Sequence, residues 1–492
     1  MSQIEYEGRL YIDGEFREAK SGKRFDVINP ADESVVGTAA DADADDAYDA
    51  VTAARKAADE TDWATNHEFR LHCLQQFQDV LRKAADQIRV LQATEGIVPF
   101  VTSATHIEAM IEGMDYFNGL ISTWEWEKDL GPYTLPGLGI SSNRVVRSEP
   151  YGVVAAITPW NAPFMTNIWK VTHALATGNT VVLKSAPDTP LTGALMAQLA
   201  HDGTDIPPGV FNAISSFDKA IVGDALTGDQ RVDMYHFTGS PGVGERIAQR
   251  AAVGIRKVVL ELGGKSANIF LPDADLDMSC GLGVVMCMNN GGQGCALATR
   301  MVVHADIYEE VLQRLEAVVG GISVGDPTDP GTIVGPIIRL EQLERMEGLV
   351  QRAEKDGARI LVGGKRADVN GKGFWFEPTV IVDVDENSEI AQTEVFGPVL
   401  TVIKYDGDDD EAVRIANNTR YGLSGYVQSR DLKRAVAVAN RLKAGTVNIN
   451  NSFYLSPDAP FGGYGISGVG VEHGEAGFAE YLQLKTVATP VA

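Results

Sequence analysis

Between Tyr151 and Thr238 short apolar runs alternate with longer helical patterns, and this alternation constrains the fold more than any other feature. Tyr151–Thr158 (YGVVAAIT), Thr180–Lys184 (TVVLK), Val210–Ile214 and Met234–Thr238 read as short buried strands. Phe164–Thr177, Pro190–Asp202 and Asp218–Thr227, which lie between them, carry apolar residues at helical spacing. Strand, helix, strand, helix predicts a parallel sheet covered by helices. Such a sheet binds its ligands beyond the carboxyl ends of its strands. A second α/β pattern starts near Lys257, with candidate strands Val258–Glu261, Ala267–Leu271, Arg300–His304, Pro378–Val382, Val399–Tyr405 and Thr446–Ile449. Amphipathic helices are predicted over Glu309–Val319 and Leu340–Asp356. No low-complexity linker separates the two halves, so they are expected to pack together.

The 492 residues are enough for two or three domains. No run of eighteen or more apolar residues occurs, which argues against a membrane helix. The amino-terminal MSQIEYEGRLYIDGEF lacks a basic segment followed by an apolar one, so a cytoplasmic location is expected. With 42 basic and 67 acidic side chains the formal charge is −25, a surface that repels nucleic acid phosphates and anionic lipid. Neither is expected as a partner. The acidic run Asp41–Asp49 (DADADDAYD) is read as the cap and first turn of a helix. Four cysteines (Cys73, Cys280, Cys287 and Cys295) are too few and too unevenly placed for a disulfide framework. With no CxxC and no HExxH, no metal is expected.

Two segments carry chemistry. Phe237–Gly244 (FTGSPGVG) follows a strand pattern and precedes the helical pattern Glu245–Ala252. Its glycines allow a tight turn, and a helix amino terminus attracts phosphate. It is not a GxGxxG, because Ile247 holds the last glycine position, and a plain strand-to-helix turn stays open as a reading. The other segment is split: VVLELGGK over Val258–Lys265 and NGGQGCALATR over Asn290–Arg300. Glu261 ends a strand before Gly263 and Gly264, and Cys295 follows 34 residues later behind Gly291, Gly292 and Gly294. The glycines are expected to leave the sulfur accessible to a carbonyl carbon. A thiolate is a strong nucleophile near neutral pH, and a helix amino terminus nearby would lower its pKa. A carboxylate in the same cleft can activate water or take the thiol proton. Cys280 and Cys287, seven apart on a predicted helix, are assigned to packing.

With these pieces in place the chain resembles the aldehyde dehydrogenase superfamily over nearly its whole length. The resemblance rests on PWNAP at Pro159–Pro163, VVLKSAPDTP at Val181–Pro190, FTGSPGVG, ELGGK, GQGC, EVFGPV at Glu394–Val399 and PFGGYGISG at Pro460–Gly468, in family order. It implies an α/β fold with a Rossmann-like cofactor domain (1–123 and 149–261), an α/β catalytic domain (262–466) and a small β oligomerisation arm with a carboxyl-terminal strand (124–148 and 467–492). It further implies an enzyme that oxidises an aldehyde to the acid through a Cys295 thiohemiacetal and thioester. Asn161 and the Cys295 N–H would form the oxyanion hole, and Glu261 would activate the hydrolytic water. Glu261 favours release of a free acid over transfer to coenzyme A. Lys170 matches a family lysine implicated in proton relay, against the alternative of a helix-surface lysine.

The same resemblance places the dinucleotide against Ile157, Thr158, Pro159, Trp160, Lys184, Gly239, Ser240, Val243, Gly244, Leu262, Glu394 and Phe396. Many NAD-preferring relatives carry Glu three residues after the lysine, where this chain has Pro187, so NAD is expected and NADP stays open. Phe164, Met165, Trp169, Gly294, Ala296 and the segment Phe453–Leu455 would line the substrate pocket. Their apolar character points to an aliphatic, terpenoid or aromatic aldehyde. Trp124–Ser148 and Tyr481–Val487 would expose strand edges for a homodimer or homotetramer. The alternative from another class is a catalytically silent relative with a structural or binding role, which would be expected to have lost Cys295, Glu261 or Asn161.

Overall fold

The computed structural model describes residues 6–453 and 455–491. Among these the strands form eight-, seven-, three- and two-stranded sheets. The eight-stranded sheet runs in the order Gly468–Val469, Lys257–Glu261, Met234–Thr238, Val153–Ile157, Thr180–Lys184, Phe211–Ile214, Leu10–Ile12, Glu15–Arg17. Its five central strands are parallel, and the edge strands pair antiparallel. Every residue of Val153–Ile157 and Thr180–Lys184 is buried, as helices on both faces require. From Val153–Ile157 the chain winds one way through Thr180–Lys184 to Phe211–Ile214. It then returns and winds the other way through Met234–Thr238 to Lys257–Glu261. The crevice between Ile157 and Thr238 is therefore the topological switch point, where ligands of such sheets bind.

The sequence pattern groups Val258–Glu261 with the second half, but the structure pairs it parallel with Met234–Thr238. Helix Pro241–Gly254 makes that short crossover and returns the chain beside the strand it left. Leu262–Ser266 then leads directly into Ala267–Phe270 of the second sheet. That sheet runs Arg359–Val362, Thr379–Val382, Val399–Tyr405, Arg300–His304, Ala267–Phe270, Ser424–Gln428, Thr446–Ile449, parallel except at Arg359–Val362.

The third sheet joins Glu127–Thr134, Ser141–Pro150 and Leu482–Pro490. The last strand pairs antiparallel along the second from Leu482↔Pro150 to Pro490↔Ser142. Leu130, Tyr133, Leu138, Ile140 and Leu484 are exposed on this sheet and its hairpin. The acidic run opens helix Ala44–Glu60, with Asp43 and Asp46 forming a reciprocal capping box. Cys73, Cys280 and Cys287 are buried in helices, and burial pushes each thiol up to about 12. Among the described residues no helix is long and apolar enough to cross a membrane, and no group of three or more His, Cys, Asp or Glu is placed to hold a metal.

Candidate active site

Glu261 is the last residue of its strand and 2% exposed, and neither carboxylate oxygen has a hydrogen-bond partner. Two residues on, the glycine pair of ELGGK shows why side chains are excluded there. A Cβ on Gly263 would lie 2.3 Å from Glu394 Oε2, and one on Gly264 would lie 2.3 Å from the Cys295 carbonyl oxygen. The Gly264 N–H donates to Glu394 Oε1 at 2.9 Å. The segment after the candidate base thus runs against the backbone of the candidate nucleophile. One crevice holds both.

The glycines before Cys295 shape the backbone turn, and Cys295 itself is half-buried where the other three cysteines are buried. Asn290, Gly291 and Gly292 have φ of 56°, 63° and 67°, the left-handed region that glycine and asparagine tolerate. A Cβ on Gly292 would meet the Gly397 carbonyl at 2.1 Å, and one on Gly294 the Leu297 side chain at 2.8 Å. Buried Gln293 pins the turn, donating to Pro336 O at 3.0 Å and accepting from Ile338 N–H at 3.1 Å. Asn161 Nδ2 donates to Gln293 O at 2.9 Å, and Asn290 Nδ2 donates back to Asn161 O at 2.7 Å. An amide nitrogen carries two hydrogens, so one donor of Asn161 is still available beside the turn. Tyr426 Oη donates to Ala296 O at 2.9 Å and fixes the far side. No helix begins at Cys295: the preceding helix ends at Met288, and the next regular element is strand Arg300–His304. Without that dipole, burial followed by the charges of Glu394 and Glu261 pushes the Cys295 thiol up to about 12.

Lys170 is not on a helix surface; it is fully buried. Its ammonium donates to Glu472 Oε1 and to Thr238 Oγ1, each at 2.6 Å. His236 Nε2 lies 2.7 Å from the same Glu472 oxygen, and His236 Nδ1 contacts the Tyr481 hydroxyl. Burial works against a charged Glu472, but Lys170 and His236 hold its carboxyl well below the usual range. Burial and the Glu472 charge raise Glu261 well above that range, with Lys170 opposing them. The sequence reading gives no site role to Thr238, His236, Glu472 or Tyr481: Thr238 is met only as a strand end within FTGSPGVG, and Tyr481 only as the start of the carboxyl-terminal strand. Glu472 lies 302 residues from Lys170, too far for a local pattern to join them.

At the switch point Ile157 ends one strand with Thr158 just beyond it, and Gly239 and Ser240 follow another. A Cβ on Gly239 would lie 2.3 Å from the Phe237 ring, and one on Gly244 would lie 2.6 Å from the Leu262 side chain. Ser240 caps helix Pro241–Gly254 without using its hydroxyl, and Ser240, Gly242 and Val243 are exposed. An open helix amino terminus of this kind can hold a phosphate group. Lys184 is buried, donates to Ser185 O at 3.2 Å, and is brought down to about 8 by burial and Lys219. Phe396, with φ of 57°, sets its ring edge-on to Trp160 at 5.3 Å, while Pro159 connects Thr158 to Trp160. Burial raises Glu394 to about 7. These residues can hold a dinucleotide between the two sheets.

A cavity opens between helices Ala109–Thr123 and Pro163–Ala176. Trp169 and Leu455 line it. Phe164 is fully buried in the apolar core, Met165 packs against that core, and Phe453 is 52% exposed. Tyr454, within the segment expected at the pocket, lies outside the described residues. Met110, Met114 and Phe117 also line the cavity and are missing from the sequence reading, because the helix that carries them bears no motif.

The family model described as the aldehyde dehydrogenase family matches residues 16–487. An aldehyde dehydrogenase of Alternaria alternata is 39% identical over 482 residues, 97% of this chain and 94% of that protein. Cytosolic aldehyde dehydrogenase 1 of Rattus norvegicus is 37% identical, over 98% of this chain and 95% of that one. Among solved structures, aldehyde dehydrogenase C of Pseudomonas syringae, a cysteine-to-alanine mutant in complex with NAD+ and octanal, superposes with a TM-score of 0.91 at 37% identity, covering 98% and 96% of the two chains. Betaine aldehyde dehydrogenase of Staphylococcus aureus in complex with NAD+ gives 0.94 at 34% identity, covering 99% and 95%. These likenesses take in both large sheets, the arm and the crevice between them, and the chain belongs to the aldehyde dehydrogenase family.

Proposed function

We propose that the protein oxidises an apolar aldehyde (aliphatic, terpenoid or aromatic) to the free acid, with Cys295 as nucleophile and Glu261 as base. The observation that carries this is a buried carboxylate with no partner on either oxygen, in a segment packed against the nucleophile's own carbonyl. An unpaired buried carboxylate is costly and survives where it has a task. Cys295 forms a bond to the aldehyde carbon, and its proton leaves through water to the solvent. The negative oxygen that results is met by the spare N–H of Asn161 and by the Cys295 N–H. Bound NAD, when present, supplies the acceptor for hydride. Glu261 then takes a proton from the water that attacks the Cys295 thioester, releasing the acid and restoring the thiol. Lys170 and Glu472 hold fixed charges beside Glu261 and set how readily it gives up that proton.

For the cofactor, Lys184, Ser240 and the amino terminus of helix Pro241–Gly254 support the adenosine and pyrophosphate, and Glu394 and Phe396 the nicotinamide ribose. The NAD+ complexes of the Staphylococcus and Pseudomonas enzymes support NAD. Pro187 offers no carboxylate to repel a 2′-phosphate, so Kd values for NAD and NADP by fluorescence titration decide the preference; tighter NADP binding overturns NAD. The exposed apolar edge of the three-stranded sheet supports assembly with further copies.

The test of the substrate class is a comparison of kcat/KM for octanal or benzaldehyde with glyceraldehyde 3-phosphate; preference for the phosphate ester sinks it. Asn161→Ala should lower kcat by about 100- to 1,000-fold, the loss typical of one oxyanion donor, with Kd for the dinucleotide held. Lys170→Met should destabilise the fold by about 3–5 kcal/mol, because it leaves the buried Glu472 charge without its ammonium. Urea denaturation of the two proteins measures that difference.

A further inference from the structure

We propose that the cavity between helices Ala109–Thr123 and Pro163–Ala176 receives the far end of the aldehyde and reads a second, uncharged oxygen function there, through Thr172 and His473. The inference rests on the reading above that the aldehyde is taken at Cys295. It adds a substrate class: an apolar body carrying a hydroxyl, ether or carbonyl remote from the reacting carbon.

The wall is mainly apolar, from Met110, Met114, Phe117, Trp169, Leu455 and Pro457. Four polar side chains interrupt it: His173 and Ser456 are already engaged, by Trp169 O and the His473 N–H and by Asp458, while Thr172 at 2% exposure and His473 at 3% are not. Thr172 Oγ1 and both ring nitrogens of His473 have no hydrogen-bond partner. Buried polar atoms in native proteins are nearly always satisfied, so three unpartnered atoms on residues lining one cavity point to a ligand's polar group. The His473 ring is fixed by its neighbours. It stands edge-on to Trp169 at 4.3 Å and lies 5.4 Å from His173 and 5.9 Å from Phe117.

His473 also holds an unusual backbone conformation, φ 63° and ψ 169°, a region populated almost wholly by glycine. Glycine would satisfy that conformation without cost; here an imidazole is carried to the cavity instead. Burial brings His473 down to about 3, so the ring is neutral and offers one donor and one acceptor, as a hydroxyl or carbonyl requires. No lysine or arginine lines the cavity among the described residues, so a carboxylate or phosphate tail finds no counter-charge. Trp169 lies six residues into its helix from Pro163, about 9 Å along the axis from the turn that carries Asn161. Thr172 lies nine residues into the same helix, about 13.5 Å along the axis, so its hydroxyl is remote from the reacting carbon.

The probes are propanal, citronellal and 7-hydroxycitronellal. The last two share a branched ten-carbon body and differ at its far end. The wild-type enzyme should favour 7-hydroxycitronellal over citronellal by about tenfold in kcat/KM, in line with one hydrogen bond to an otherwise orphaned group. Thr172→Val, which keeps the shape and removes the hydroxyl, should erase most of that ratio. Gly113→Leu should lower both ten-carbon substrates relative to propanal by about tenfold or more. Gly113 faces the cavity, and a Cβ there meets only Pro457, at 3.5 Å. Circular dichroism of each variant checks folding. A separate readout is quenching of tryptophan fluorescence by 3,7-dimethyloctane-1,7-diol, which has no aldehyde to oxidise. Oxidation of propanal with no preference for the hydroxylated substrate, or with no quenching by the diol, overturns the cavity proposal. Diol binding without oxidation of any aldehyde overturns the Cys295 reading instead and leaves the cavity standing.

Discussion

The Cys295→Ala protein should show no aldehyde oxidation above background, a fall in kcat of roughly 10⁴-fold or more. Its affinity for the dinucleotide should persist, because the residues argued to hold that group lie in other segments. Ester hydrolysis should vanish together with oxidation, since both need an acyl bond to this sulfur. Intact-protein mass spectrometry after incubation with aldehyde and cofactor gives the complementary measurement: an adduct on the wild-type chain and none on the variant. The other three cysteines cannot stand in, as each is buried in a helix with its thiol pushed up to about 12. Turnover in Cys295→Ala within tenfold of wild type would end the covalent mechanism.

Glu261→Gln should separate the two halves of the reaction. The substitution puts an amide where the base stood and leaves Cys295 free to be acylated, so stopped-flow at 340 nm should show a burst of about one reduced cofactor per subunit. A steady rate lower by roughly 10²- to 10⁴-fold should follow. An unslowed steady rate would mean that another base serves. The pH dependence follows from the same carboxyl. Burial and Glu472 raise its pKa above the usual carboxylate range, so the ionised base is present only above that raised value. The kcat of the wild-type enzyme should therefore rise with pH through a limb above the range of an exposed glutamate. Acid should suppress hydrolysis well before it unfolds the protein. An acid limb near 4 would contradict that environment.

Much of the fold can be read from the sequence because the parallel strands are short, apolar and separated by helices of ordinary length. Helix Pro163–Ala176 is predicted over Phe164–Thr177, and helix Tyr308–Val319 over Glu309–Val319. The misplaced strand, Lys257–Glu261, shows the limit. Periodicity marks a strand but does not say which sheet it joins, and here the crossover decided. At the site, Glu261, Cys295 and Asn161 sit in contiguous motifs, so they are visible from residue order. Lys170, Glu472, His236 and Tyr481 meet only through tertiary folding, with separations of 245 and 302 residues along the chain. The glycines before Cys295 are legible as glycines, yet the left-handed run that Gly291 and Gly292 form with Asn290, and the packing of Gly292 against Gly397, need coordinates to see.

The carboxyl-terminal strand Leu482–Pro490 begins one residue after Tyr481, whose hydroxyl contacts His236 beside Glu472 and Lys170. That strand lies along Ser141–Pro150 of the same chain and leaves its other edge open. Tyr481 therefore belongs to two structures at once, the peripheral sheet through its neighbour Leu482 and the buried charge cluster through its own hydroxyl.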